Sequence, residues 1–282
     1  MNALFLLMVM LAGPGGGSQA PAELVFGMTP VVGVEATRAR FAPLAEYMSE
    51  QLGIPVRLLV ADSYGSLIEK MVAGEVDLAK FSPLAYVRVR KKIPSMKLIA
   101  THVANGSATY SSYLVTLQDS KFSIPECQSG TRICFADPDS TSGYLYPAAY
   151  LRSRGIAPES DLEAEFAGDH RACLEGLFAG RYDIAATWAG AIRDARQSGL
   201  DVGELTIVAK TGRIPYDAYC VRPGLDEEVT RRIQQLLLKT NTLSRSGRRV
   251  LSSTLGINGW VPGDDRVYDG VRRVEASIET TR

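Results

Sequence analysis

The stretch FADPDSTSGYLYPAAYL, residues 135–151, decides how this chain reads. It starts at the end of a strand-like run (TRICF), turns through Asp137-Pro138-Asp139, and enters a helix-like segment at Gly143. Ser140, Thr141 and Ser142 stand at that entry. A helix start leaves its first backbone N–H groups without intrahelical acceptors, and hydroxyls beside them add donors, so a strand–loop–helix corner of this kind suits an anion. The same residues also suit an ordinary N-cap, in which one hydroxyl accepts from the backbone. Three successive hydroxyls after a strand end favour the anion cradle, and both readings stay open on this stretch alone.

Outward from it, strand and helix signals alternate. ELVFGMTP reads as a strand ending in a Gly/Pro turn; TRARFAPLAEYMSEQLG places Phe41, Leu44, Ala45, Met48 and Leu52 at helical spacing and stops at Gly53. PVRLLVA, VDLAKFS and KLIATHV read as strands, with SYGSLIEKMVAGE and PLAYVRVRKKI as the intervening helices. This pattern predicts an α/β fold with largely parallel sheets. AGEVDLAKFSPLAYVR (residues 73–88) is echoed by AGRYDIAATWAGAIRD (residues 179–194), with Asp77 and Asp183 at the same place. Each copy follows a helix-like segment, so two similar lobes are expected, with a cleft at their strand ends. ATYSSYLVTLQDS and DAYCVR are the expected crossing strands, which favour hinge motion over independent tumbling.

The 282 residues carry no net formal charge, which gives no support for nucleic-acid binding. Residues 1–12 are nearly all apolar, and Gly13-Pro14-Gly15-Gly16-Gly17 and Ser18-Gln19-Ala20 follow; 1–20 is expected to be an export signal, too short to span a bilayer, although no Lys or Arg precedes it. An exported chain is able to pair Cys127 with Cys134, on either side of Gly130, while Cys173 and Cys220 read as small buried apolar residues.

The segment 135–151 resembles the Ser-Thr-Ser-Gly-Tyr segment of the phosphate/phosphite/phosphonate-binding proteins of ABC importers. FGMTPV, FAPLAEYMSEQLG, YGSLIEKMVAGEVDLAKFSPLAY, AGDHRACLEGLFAGRYDIAA, IPYDAYCVRPGL and LGINGWVP resemble that family's segments in the same order. The resemblance implies a two-lobe periplasmic-binding-protein fold with two interlobe strand crossings and a central ligand cleft. Lobe 1 would comprise residues 21–112 and 217–282, and lobe 2 residues 113–216. It also implies a monomer that captures a small phosphorus oxyanion and works with ABC permease membrane subunits, with no cofactor, metal or catalysis.

The same resemblance marks Tyr64, Tyr110, His170 and Asp217 as cleft residues beside Ser140, Thr141 and Ser142. Each has an ordinary alternative: the tyrosines as packing residues, His170 as part of a capping turn, Asp217 as a turn former. Hydroxyls and His170 would donate to oxyanion oxygens; an ionised Asp217 cannot, so it would accept from a protonated ligand oxygen or orient a donor. Gly190 stands where amine-binding members carry an acid, and Arg171 where an acid is common, so an amine-bearing ligand is disfavoured; glycine also leaves room for a bulkier substituent, with Trp188 nearby. A sensory module using the same cleft is the alternative role. An enzyme is disfavoured, since GxSxG, HExxH and P-loop motifs are all missing.

Overall fold

The computed structural model describes residues 21–120, 124 and 130–279; the expected export segment and Cys127 lie outside them. The first lobe alternates β1 (Leu24–Met28), α1 (Val34–Leu52), β2 (Val56–Val60), α2 (Tyr64–Val72), β3 (Leu78–Phe81), α3 (Pro83–Lys92) and β4 (Lys97–Ala104), as the periodicity predicts. The second contains β5 (Thr109–Leu117), β6 (Arg132–Phe135), α4 (Tyr146–Arg152), α5 (Pro158–Asp161), β7 (Glu163–Phe166), α6 (His170–Phe178), β8 (Ile184–Trp188), α7 (Ala189–Gln197) and β9 (Leu205–Pro215). The chain returns through β10 (Ala218–Val221), α8 (Glu227–Lys239), α9 (Arg245–Leu251), β11 (Ile257–Pro262) and α10 (Asp269–Glu279).

One sheet has the order β11-β4-β10-β3-β1-β2 and the other β7-β6-β8-β5-β9. In each, the strand that arrives from the other lobe inserts antiparallel beside the third parallel strand: β10 beside β3, and β5 beside β8. The crossings are therefore the short links 105–108 and 216–217, and the strands expected to cross are the ones received. Residues 109–112 pair within the second sheet.

The internal echo has a physical basis. Asp77, ahead of β3, donates its N–H to the Val25 carbonyl and accepts the Val25 N–H on its carboxylate at 2.8 Å. Asp183, ahead of β8, does the same with Arg132. Each carboxylate also holds an arginine, Arg222 on Asp77 and Arg132 on Asp183. The repeated Asp thus registers the third parallel strand on the first.

Phe41, Leu44 and Met48 of α1 pack with Ile233 and Leu237 of α8 on one face of the first sheet. On its other face α2 and α3 form a core that runs unbroken into α4 and α10, through Leu67, Leu84, Leu151 and Val271. The lobes therefore share buried apolar surface in this conformation. On the far face of the second sheet, Cys134 of β6 is disulfide-bonded to Cys173 of α6. This corrects the expected Cys127–Cys134 pairing; Cys173 is buried as expected, but as half of a disulfide. Cys134 and Cys173 both point into the layer between that sheet and α6, a proximity created by topology and invisible to sequence spacing. Cys220 is buried and free.

The Asp77 clamp is directly testable. Asp77→Ala strands the Val25 N–H and the Arg222 guanidinium, and is expected to cost about 2–3 kcal/mol in urea unfolding. An unchanged midpoint would show that the clamp carries no stability.

Candidate functional site

β6 ends at Phe135, and the following turn is fixed from several sides. The Asp137 carboxylate accepts the Asp139 N–H at 2.7 Å and, from the other lobe, the Tyr64 N–H at 3.3 Å. The Ser140 hydroxyl accepts the Gly143 N–H at 3.0 Å, which makes Ser140 the N-cap. The helix opens as a π-helical turn, Thr141–Leu145, before α4. Gly143 is required there: a Cβ would lie 2.4 Å from the Ala136 Cβ and 2.9 Å from the His170 ring. The Ser112 hydroxyl donates to the Ser142 carbonyl at 2.6 Å, and the Thr141 hydroxyl oxygen accepts the Leu84 N–H of the opposite lobe at 2.8 Å. The amides of Thr141 and Ser142 fall in the first turn, where no intrahelical acceptor exists. The cap and the candidate anion cradle are therefore one device.

The structure brings Tyr64, Tyr110, Ser140, Thr141, Ser142, His170 and Asp217 to a single cavity between the lobes. Its free volume is about 30 Å³, roughly two to three times the minimum for one water. The lobe echo extends into it. Tyr64 and His170 are the first residues of α2 and α6, helices of equal length that follow β2 and β7, and are capped by Ser63 and Asp169. His170 is thus not the cap; Asp169 is. The His170 backbone N–H crosses to the Val31 carbonyl at 3.3 Å.

Lys80 is the residue that sequence reasoning missed. It belongs to β3, lines the cavity, and ion-pairs with Asp217, the side chains being 5% and 14% exposed. Of the two roles open to Asp217, orienting a donor is the one realised. The ammonium also lies over the Phe41 ring, 5.6 Å from its centroid. A lysine in the otherwise apolar strand Leu78–Phe81 was the available signal.

The other polar side chains of the cavity are uncharged. Burial, reinforced by the charges of Asp137 and Asp217, holds the Tyr64 phenol protonated well above its ordinary range. Burial and Asp217 do the same for Tyr110. Burial lowers the His170 pKa to about 4, against the opposing pull of the Ala186 carbonyl and Asp217. The Ser142 hydroxyl lies 3.4 Å from His170 Nε2. Burial likewise lowers His102 to about 3. With Lys80 and Asp217 paired and both histidines neutral, the cavity carries no net charge.

Two expectations change. The space beside Gly190 is filled: a Cβ there would lie 2.1 Å from the Trp188 ring. Arg171 does not line the cavity; its guanidinium bonds the fully buried Asp194 at 2.6 Å. Asp194 also takes Arg40 of the first lobe, at 2.7 Å from Nε. No group of three or more His, Cys, Asp or Glu side chains able to hold a metal occurs among the described residues.

The family model described as "ABC transporter, phosphonate, periplasmic substrate-binding protein" matches residues 26–268. The chain belongs to this family. It is 27% identical to the phosphate-import protein PhnD of Mycolicibacterium smegmatis, over 90% of this chain and 85% of that protein. Identity to the phosphonates-binding periplasmic protein of Escherichia coli is 23%, over 84% of this chain and 71% of that one. The structure of PhnD1 from Prochlorococcus marinus in complex with methylphosphonate superposes with a TM-score of 0.83 at 18% identity, covering 92% of this chain and 98% of that one. The fold is the two-lobe fold of these proteins, and no helix of the described residues is long and apolar enough to cross a membrane.

Two outcomes follow from this geometry. Gly190→Ala improves intrinsic helix propensity by about 1 kcal/mol, but must displace the Trp188 ring at a typical overpacking cost of about 1–3 kcal/mol. A lowered melting temperature is expected, and a raised one would contradict the packing. His170 is neutral in the folded protein down to about pH 4, whereas an unfolded histidine protonates near 6.5. Stability is therefore expected to fall as pH drops from about 6.5 to 4, and to be insensitive to this group above that window. His170→Asn should flatten part of the slope in urea titrations, His102 supplying the remainder; an unchanged slope would show that His170 titrates normally.

Proposed function

We propose that the chain is the solute-capturing component of an ABC importer, and that its cavity takes up a small phosphorus oxyanion (phosphite, phosphate or an alkylphosphonate) for delivery to the permease subunits. The observation that carries this reading is the convergence of hydroxyl, phenol and helix-start N–H donors with one oriented ammonium on a cavity of about 30 Å³. Ser142, Thr141, Tyr64, Tyr110, His170 and the amides of the 141–142 turn donate to the oxygens; Lys80 supplies the charge. Ser140 holds the turn, and Asp217 aims Lys80.

Capture rather than turnover fits the same geometry. Ser142 and His170 have the look of a nucleophile and base, but burial makes His170 a weak base and Asp217 is committed to Lys80 rather than to the imidazole. The names of the relatives support the ligand class: phosphate import in one, phosphonate binding in another, methylphosphonate in the solved neighbour.

Binding should raise the melting temperature, because the ligand binds only the folded state. Calorimetry with phosphite, phosphate and methylphosphonate is expected to show uptake of at least one. Ser142→Ala should weaken it roughly 10- to 100-fold, the loss of one charge-assisted hydrogen bond. Lys80→Met, which also leaves Asp217 facing the anion, should abolish it. No heat and no stabilisation with any of the three would overturn the ligand assignment.

A further inference from the structure

The cavity lining also has an apolar part. Val31, Trp188 and Tyr216 belong to one buried cluster drawn from both lobes, with Leu255 and Tyr110 packed against it. A tetrahedral oxyanion held by its oxygens has one further substituent to place, and this wall is the apolar surface the cavity offers it. Within the wall Trp188 is fixed by contact. It is 8% exposed, lies against the backbone of Gly190, and packs edge-on to Tyr110 at 5.3 Å; Tyr110 in turn stacks on Tyr216 at 4.9 Å.

Behind the wall lies a second, open depression. Tyr110, Trp188 and Tyr216 line it as well as the cavity, so these three rings are the partition between the two spaces. The far side is basic: Arg193, Lys210 and Arg213 line it. Arg193 donates to the Asn105 side-chain oxygen at 2.9 Å, and no carboxylate pairs with any of the three cations among the described residues.

Building on the oxyanion reading above, we infer that Trp188 limits this site to phosphorus oxyanions with a very small apolar substituent, and that the basic depression behind it is a latent subsite for an anionic one. Gly190 is what lets the indole lie in that place; any side chain at 190 collides with it. The partition separates an anion-binding cavity from three cations that no carboxylate pairs among the described residues. Shrinking Trp188 therefore lengthens the site toward positive charge, and a carboxylate-bearing phosphonate gains while an amine-bearing one does not.

The experiment is calorimetric titration of wild type, Trp188→Leu and Trp188→Ala with methylphosphonate, propylphosphonate, phosphonoacetate and aminomethylphosphonate, with melting curves to establish folding. Wild type is expected to bind methylphosphonate at least tenfold tighter than the three larger ligands. In whichever Trp188 variant folds, phosphonoacetate should gain at least tenfold relative to methylphosphonate, propylphosphonate less, and aminomethylphosphonate nothing. Adding Lys210→Glu and Arg213→Glu should remove the phosphonoacetate gain and spare that of propylphosphonate. Equal changes for all four ligands, or wild-type binding indifferent to length, would overturn the inference while leaving the oxyanion function intact. Wild type that binds none of them, nor phosphite or phosphate, would overturn that function and the gate together.

Discussion

The cavity depends on one buried ion pair. Lys80 sits on β3 and Asp217 on the return crossing, immediately before β10, which pairs with β3. Removing either charge from water is costly, and each is tolerated because the other is there. The pair presents an ammonium to the cavity and cancels its charge at the same time. Both nearby histidines are kept neutral by burial, so an incoming anion meets donors in an environment of zero net charge. Burial penalties rise steeply with charge, so such a site favours a singly charged oxyanion over a doubly charged one.

Around that pair the two lobes contribute matching parts. α2 and α6 each begin at the cavity with a donor residue, Tyr64 and His170, and each sends its first N–H across to the other lobe, to Asp137 and Val31. Ser82 donates to the Asp139 carbonyl at 3.0 Å and Arg88 holds the Asp139 carboxylate, so the 137–143 turn is seated on the first lobe. Farther out, Arg40 reaches Asp194 from the first lobe while Arg171 stays with it from the second. If the lobes part, Asp194 keeps one arginine and loses the other, which allows opening without leaving a bare buried charge. The Cys134–Cys173 disulfide joins the strand that ends at the turn to the helix that starts at His170, which fixes the two halves of the second lobe's contribution.

Much of this was legible in the sequence because it is local. Strand–helix alternation, the Gly53 stop and the hydroxyl run at 140–142 depend on neighbours a few residues away, and the echo at Asp77 and Asp183 repeats a local clamp. What escaped depends on topology. Lys80 finds its partner 137 residues downstream, where only strand insertion puts it. Cys134 meets Cys173 through a helix packing on a sheet. Gly190 reads as empty space until the backbone shows Trp188 folded over it. Arg171 stands where an acid is common, and only the fold shows it held by the buried Asp194, more than twenty residues on.

Phosphorus NMR of bound methylphosphonate, with pH raised through the ligand's second ionisation, shows whether the cavity of zero net charge holds a singly charged phosphorus oxyanion. The bound resonance should stay at the position of the monoanion while the free resonance titrates, with affinity falling once the free ligand is doubly charged. A bound resonance at the dianion position, with affinity that holds or rises with pH, would contradict it.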